Sequence, residues 1–308
     1  MIDPVIDPAI ARILPRVLGP AATGAAEGAT VTPLPGGITN RNYRIRAGAE
    51  DLVLRMGGEG TELLGIDRAR EHAASAIAAG LGVGAEVIAF FEEERALVTR
   101  FVAGSPLTRE GAVRGDTLPR IVEAIRRYHD GPAFPGAFSP FESVRSHASL
   151  AEAHGVSFPP EAARARDALD RIERALGPPA RILPCHNDLL AANFLDDGRS
   201  ITIIDWEYAG MGDPFFDLGN LAANLELDPA ACEELLRLYA GSVNKRDLAR
   251  LHLLRLSSDM RESYWGFLQM GISRIEFDYA KYAREHLERF LRNQASPDVT
   301  RWLTEVGR

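Results

Sequence analysis

Between residues 30 and 102, apolar and polar positions alternate in short runs, the period-2 pattern of half-buried strands. The runs predict strands at 30–34, 41–47, 51–56, 85–91 and 95–102. The third, DLVLRM, ends at Gly57-Gly58, and the acidic turn Glu92-Glu93-Glu94 separates the last two. Two helices are predicted in the same region. One covers 7–18, with Asp7 as N-cap and Pro8 at the first helical position. The other covers 66–80 and is stopped by Gly80. After Gly104-Ser105-Pro106 the period lengthens. Helical patterns dominate at 116–130, 161–176, 228–241, 245–270 and 274–294, around one short β insertion at 183–205. Residues 131–160, rich in Pro, Phe and Ser, read as a loop. Strands first and helices later imply an α+β fold: a small sheet lobe over 1–102 and a larger helical lobe over 103–308.

The chain has 308 residues, enough for two lobes with a substantial core. Its net charge of −8 argues against broad contact with a nucleic-acid backbone and is compatible with a cationic substrate. Cys185 and Cys232 form no metal motif and no disulfide framework, which fits a reducing compartment. The N-terminus has acidic residues and prolines where a signal peptide has a basic start, and the most apolar run, 73–85, is too short to span a bilayer. A cytoplasmic enzyme without membrane insertion is expected. Nothing in the sequence fixes an oligomeric state.

The chemistry concentrates in HNDLLAAN at 186–193 and IDWEY at 204–208. Asp188 is a candidate catalytic base, and Asn193 follows it at the H-x-D-x-x-x-x-N spacing of a protein-kinase catalytic loop. Asp205, at the end of an apolar strand, stands where a kinase places its metal-binding Asp. A carboxylate orients an attacking hydroxyl and takes its proton. An amide oxygen and a second carboxylate suit Mg²⁺, which prefers oxygen ligands, held against the phosphates of ATP. As isolated residues the three are also turn formers and a strand cap; their convergence on one hairpin favours the site. His186 is expected to brace the loop by hydrogen bonding. Asp213 before Pro214 reads as a helix N-cap, and Asp217 is placed to hold the backbone N–H groups of the catalytic loop.

At the other end, LPGGITNRNYRI (34–45) is a Gly-containing turn between strands. Backbone N–H groups around Gly36, Gly37 and Asn40 are expected to approach phosphate. Arg55 lies on the next strand, and Glu71 on the following helix is placed to pair with it, with Arg68 and Arg70 as competing partners. Residues 259–282 gather Tyr264, Trp265, Phe267, Phe277, Tyr279 and Tyr282. Most belong to a core, but Trp, Tyr and carboxylates together also make a cage for an organic cation.

These segments together resemble the choline/ethanolamine kinase family, within the wider group of aminoglycoside phosphotransferase-like kinases. The resemblance covers roughly 30–292 and rests on GGITNRNY, LVLRMGGEGTELLGIDRAREH, HNDLLAANFL, IDWEYAGMGDPFFDLGN and YWGFLQMGISRIEFDYAKYA. It implies a bilobal, protein-kinase-like fold and transfer of phosphate from ATP, with Mg²⁺, to a small amino alcohol. It also implies Asp188 as base, Asn193 and Asp205 as metal ligands, and Arg55 with Glu71 as the phosphate-holding pair. The backbone at Arg100, Phe101 and Val102 would meet adenine, and Tyr208, Trp265 and Tyr282 would line the acceptor pocket. The chain departs from the family in two places. Asn224 stands where choline kinases commonly have a Glu, with Glu226 two residues on, and Glu262 replaces a second cage Trp. Both changes bear on choice of acceptor, choline or ethanolamine, since a cage with less aromatic surface suits a primary amine that donates hydrogen bonds. The alternatives are a kinase of another hydroxyl compound, such as an aminoglycoside, and a nucleotide-binding regulator without turnover.

Overall fold

The computed structural model describes residues 8–18, 29–35 and 39–307. Asp7, Gly36 and Gly37 lie outside the described residues. Five antiparallel strands, β1 (Thr30–Leu34), β2 (Asn40–Ala47), β3 (Glu50–Gly57), β4 (Val87–Phe91) and β5 (Ala96–Arg100), form a sheet in the order β1-β2-β3-β5-β4. Alternation along β3 does the positioning. Leu52, Leu54 and Met56 bury against helix α1 (Pro8–Leu18) through Ile10, Ile13 and Leu14. Arg55 therefore points from the opposite face. There it meets helix α2 (Arg68–Gly80), whose N-cap Asp67 accepts from the N–H groups of Ala69 and Arg70.

The remainder is mostly helical: α3 (Arg109–Ala112), α4 (Thr117–His129), α5 (Pro140–Ala153), α6 (Glu161–Leu176), α7 (Pro214–Asn224), α8 (Pro229–Ala240), α9 (Lys245–Ile272), α10 (Tyr279–Gln294) and α11 (Pro297–Val306). The expected loop at 131–160 contains α5. Its start is marked by Ser139, which accepts from the Glu142 N–H, and by Pro140. The last predicted helix begins later than expected, because Asp278 caps it at Tyr279 by accepting from the Lys281 N–H. The 28-residue α9 is the axis of this lobe and packs against α5, α7, α10 and α11. At the α7–α9 crossing the backbones nearly touch: a Cβ on Gly219 would sit 2.6 Å from the Arg255 nitrogen.

Two small β units carry the polar loops. One pairs β6 (Ser105–Pro106) with β8 (Phe194–Asp196) and β9 (Ile201–Ile203); the other pairs β7 (Leu183–Cys185) with β10 (Gly210–Gly212). The Ile203 N–H donates to the Val83 carbonyl at 2.7 Å, tying the hairpin to the chain leaving α2. Among the described residues no helix is long and apolar enough to cross a membrane.

Candidate active site

The loop after β7 is held from below by one face of α7. Asp217, fully buried, accepts from the N–H groups of His186 (2.9 Å) and Asn187 (2.7 Å), from the Tyr128 hydroxyl (2.6 Å) and from His129 Nε2 (3.1 Å). Burial would raise its pKa, but the bonds from His129 and Tyr128 hold it below the ordinary carboxylate range. Asn220 accepts from the Leu189 N–H at 2.5 Å, and Asn224 donates to the Leu189 carbonyl at 3.1 Å. Residues 217, 220 and 224 recur at helical spacing, so a single face fixes the loop. Asn224, expected in the acceptor pocket, thus has its amide N–H group on the loop backbone. Glu226, beyond the helix end, pairs at the surface with Arg109.

His186 braces the loop as expected: its Nε2 bonds the Ile204 carbonyl at 3.0 Å, and its Nδ1 accepts from the Asp188 N–H at 3.2 Å. Asn187 takes a left-handed φ of 67° and donates to the Tyr208 carbonyl at 3.0 Å. His129, Cys185 and Asp217 bring potential ligand atoms within 4.8 Å of one another. The oxygens of Asp217 are already occupied by four donors, so the trio supports the loop rather than a metal.

This support delivers Asp188 and Asn193 to the cleft. Asn193 Nδ2 donates to the Asp188 carbonyl at 2.9 Å, and the Asn193 carbonyl accepts from the Ile204 N–H at 2.9 Å, beside Asp205. Asn193 Oδ1 has no hydrogen bond among the described residues, and the Asp205 side chain is 30% exposed on a backbone with φ of 71°. An amide oxygen and a partly open carboxylate, joined by one backbone bond, fit a hard cation such as Mg²⁺.

Arg55 crosses to this hairpin from β3. Its Nη1 lies 3.2 Å from Glu71, off the hydrogen-bonding line, and its Nη2 meets Asp205 and, at 3.1 Å, Glu207. Burial would lower the Arg55 pKa, but Asp205, Glu71 and Glu207 outweigh it and lock the charge on. Arg68 rather than Arg70 shares Glu71, at 2.6 Å, and also reaches Glu207 at 3.1 Å. Arg70 pairs with Asp67 instead. Asn40 links the same group, accepting from Arg68 at 2.7 Å and donating to Glu207 at 2.8 Å. Its side chain is thus part of the cluster. Glu207 and Arg68 were not among the expected site residues. The available clue was a second acid two positions after Asp205. A further link, Arg274 to Glu59 at 2.8 Å, crosses the cleft at its exposed rim.

At the lobe junction, the Arg100 N–H donates to the Glu86 carbonyl and the Phe101 N–H to the Asp51 carbonyl, and the Arg100 guanidinium pairs with the carboxylates of Glu86 and Glu50. The Val102 N–H has no hydrogen bond among the described residues.

The residues expected to line an acceptor pocket lie on α9, α10 and the IDWEY segment. Trp265 Nε1 donates to the Tyr208 hydroxyl at 3.0 Å, and Trp265 meets Tyr282 edge-on with ring centroids 5.5 Å apart. Tyr282 donates to Glu262 Oε2 at 2.6 Å. Between them lies a residue absent from the sequence expectations. Arg261, 2% exposed, donates from Nη1 to Asp188 Oδ1 at 3.0 Å and to Glu262 Oε1, and stands 4.2 Å over the Tyr208 ring. Burial drives the Asp188 pKa up, Arg261 opposes this, and Glu262 and Asp205 add to it. The clue was an adjacent Arg-Glu pair inside a helix with no solvent face.

This arrangement matches known proteins. Residues 30–254 match the model of the phosphotransferase enzyme family. A choline/ethanolamine kinase family protein from Mesorhizobium loti superposes with a TM-score of 0.82 at 29% identity, covering 97% of this chain and 99% of that one. Probable choline kinase 1 of Arabidopsis thaliana is 27% identical over 301 residues, 84% of this chain and 85% of its own. Protein LicA of Haemophilus influenzae is 28% identical over 218 residues, 68% of this chain and 62% of its own length. With its family model covering the sheet, the catalytic loop, the Asp205 hairpin and the helix that holds them, the chain belongs to the phosphotransferase enzyme family.

Proposed function

We propose that the protein is a small-molecule kinase that moves the γ-phosphoryl group of ATP to the hydroxyl of a small amino alcohol, of the ethanolamine and choline class. The observation that carries this reading is the meeting, at Asp188, of the metal-suited Asn193–Asp205 pair with a buried wall of Tyr208, Trp265, Tyr282 and Glu262. Relatives named as choline and ethanolamine kinases support the acceptor class.

Asp188 Oδ1 is held by Arg261, which leaves Oδ2 to accept the hydroxyl proton as the oxygen attacks phosphorus in line. Arg55, fixed by Glu71 and Glu207, sets positive charge where the transferred phosphate gains negative charge. Asn193 and Asp205 would hold Mg²⁺, which offsets charge on the phosphate oxygens. The aromatic wall keeps water from competing with the acceptor. Positioning and electrostatics thus carry the reaction without a covalent intermediate.

The test is ADP release with Mg²⁺-ATP against ethanolamine, its methylated derivatives, choline and several aminoglycosides. Strong turnover on one amino alcohol is expected, and Asp188→Asn should lower it by about a thousandfold while the protein stays folded. Turnover confined to an aminoglycoside would discard the amino-alcohol reading. Near-normal turnover by Asp188→Asn would remove Asp188 from the base role.

A further inference from the structure

Arg261 is among the largest fully buried side chains of the protein. Its surroundings are those of a cation-binding seat: two carboxylates, Asp188 and Glu262, and the face of Tyr208. Its fit there is poor for a guanidinium. One nitrogen, Nη1, serves both carboxylates, while Nε and Nη2 are buried with no hydrogen-bond partner among the described residues. That pair of nitrogens is the fork with which arginine grips a carboxylate side-on. On Arg44 it holds Asp51, on Arg250 it holds Asp213, and on Arg289 it holds Asp259. Three of the five N–H donors of Arg261 are therefore unused, and buried donors without partners are costly. The seat suits a compact cation that needs counter-charges and an aromatic face but brings no fork.

We propose that Arg261 is the specificity-determining residue of the acceptor site: its guanidinium sits in the seat of the acceptor's cationic head, and binding exchanges one cation for the other. The inference rests on the amino-alcohol reading and deepens it. The exchange passes Asp188 Oδ1 from Arg261 to the incoming head group, while Oδ2 stays open to the acceptor hydroxyl. An acceptor without positive charge has no means of displacing Arg261, so neutral alcohols are refused although Asp188 itself does not discriminate against them. In this way a pocket with less aromatic surface than a two-tryptophan cage still selects cations.

The experiment compares wild type with Arg261→Met, which keeps the aliphatic volume, and Arg261→Lys, which keeps the charge. Arg261→Met should lower the KM for the accepted amine at least tenfold and leave that for ATP within twofold, while Arg261→Lys, whose ammonium keeps the seat filled, should not lower it. An unchanged or raised amine KM, with kcat reduced, would overturn the proposal and make Arg261 a positioning residue for Asp188. Calorimetry with guanidinium chloride at millimolar concentration reads the seat without turnover. Arg261→Ala should bind the free ion at least tenfold more tightly than wild type, and equal binding by the two would overturn the proposal. If no variant turns over any amine, the proposed reaction fails, while the guanidinium result still decides whether Arg261 occupies a cation seat.

Discussion

The carboxylate of Asp217 is the point through which α7 holds the catalytic loop, and Asp217→Asn tests that support with almost no change of shape. Oδ2 accepts three bonds, from Tyr128, His129 and the His186 N–H, whereas Oδ1 accepts one, from the Asn187 N–H. The amide loses least by turning its NH₂ toward Asn187. One buried N–H then faces another donor, at a cost of about 1–3 kcal/mol. The three remaining bonds lose their charge assistance, adding about 0.5 kcal/mol or more each. A loss of about 3–5 kcal/mol is expected, within the about 5–15 kcal/mol typical of a folded domain. The protein should still fold, with a urea midpoint lower by about 1 M or more. Asp188 adjoins the residue that loses its bond, so kcat should fall at least about tenfold for a displaced base, with the KM for ATP little altered. Urea unfolding followed by fluorescence and steady-state ADP release on the same preparation read both effects. A midpoint and a kcat both equal to wild type would refute the account of Asp217.

Two further outcomes follow from packing and burial. Gly219→Ala places a methyl against the backbone of Arg255 and Leu254, at 2.6 and 2.8 Å, so it should cost about 1–3 kcal/mol and lower the melting temperature by several degrees; an unchanged melting temperature would show slack between α7 and α9. His252, stacked on Trp302 at 4.4 Å, has its pKa pushed down to about 4 by burial, with Arg255 adding to the effect. The unfolded chain binds the proton first as pH falls, so stability is complete above about 6.5 and declines toward pH 4, by up to about 3 kcal/mol from this residue. His252→Gln should flatten that part of the stability profile, and an unaltered slope would place its origin elsewhere.

The sheet was legible because its alternation is strong. All five strands lie within a few residues of where the pattern put them, and Asp217, His186 and Asp213 take the supporting roles their spacing suggested. The segment 131–160 was not legible as a helix because α5 is rich in Ala and Ser and lacks a clear apolar stripe; the Ser139-Pro140 cap was the better guide. The buried charges were harder still. Arg68, Glu207 and Arg261 are ordinary surface residue types, and their burial follows from tertiary contacts with residues far away in sequence. Asn40 and Asn224 illustrate the converse. Both stand in segments that bound the site, yet their side chains are bonded into its supports.

The two links across the cleft differ in their response to ionic strength. Arg274 and Glu59 are 85% and 80% exposed, so counter-ions reach them, and at 1 M salt, where the screening length is about 3 Å, their attraction is nearly gone. Arg55, Glu71 and Glu207 are largely buried and feel less of that screening. Salt therefore unfastens the rim while the inner cluster holds, which makes the width of the entrance a property of the medium and the alignment of the two lobes a property of the chain.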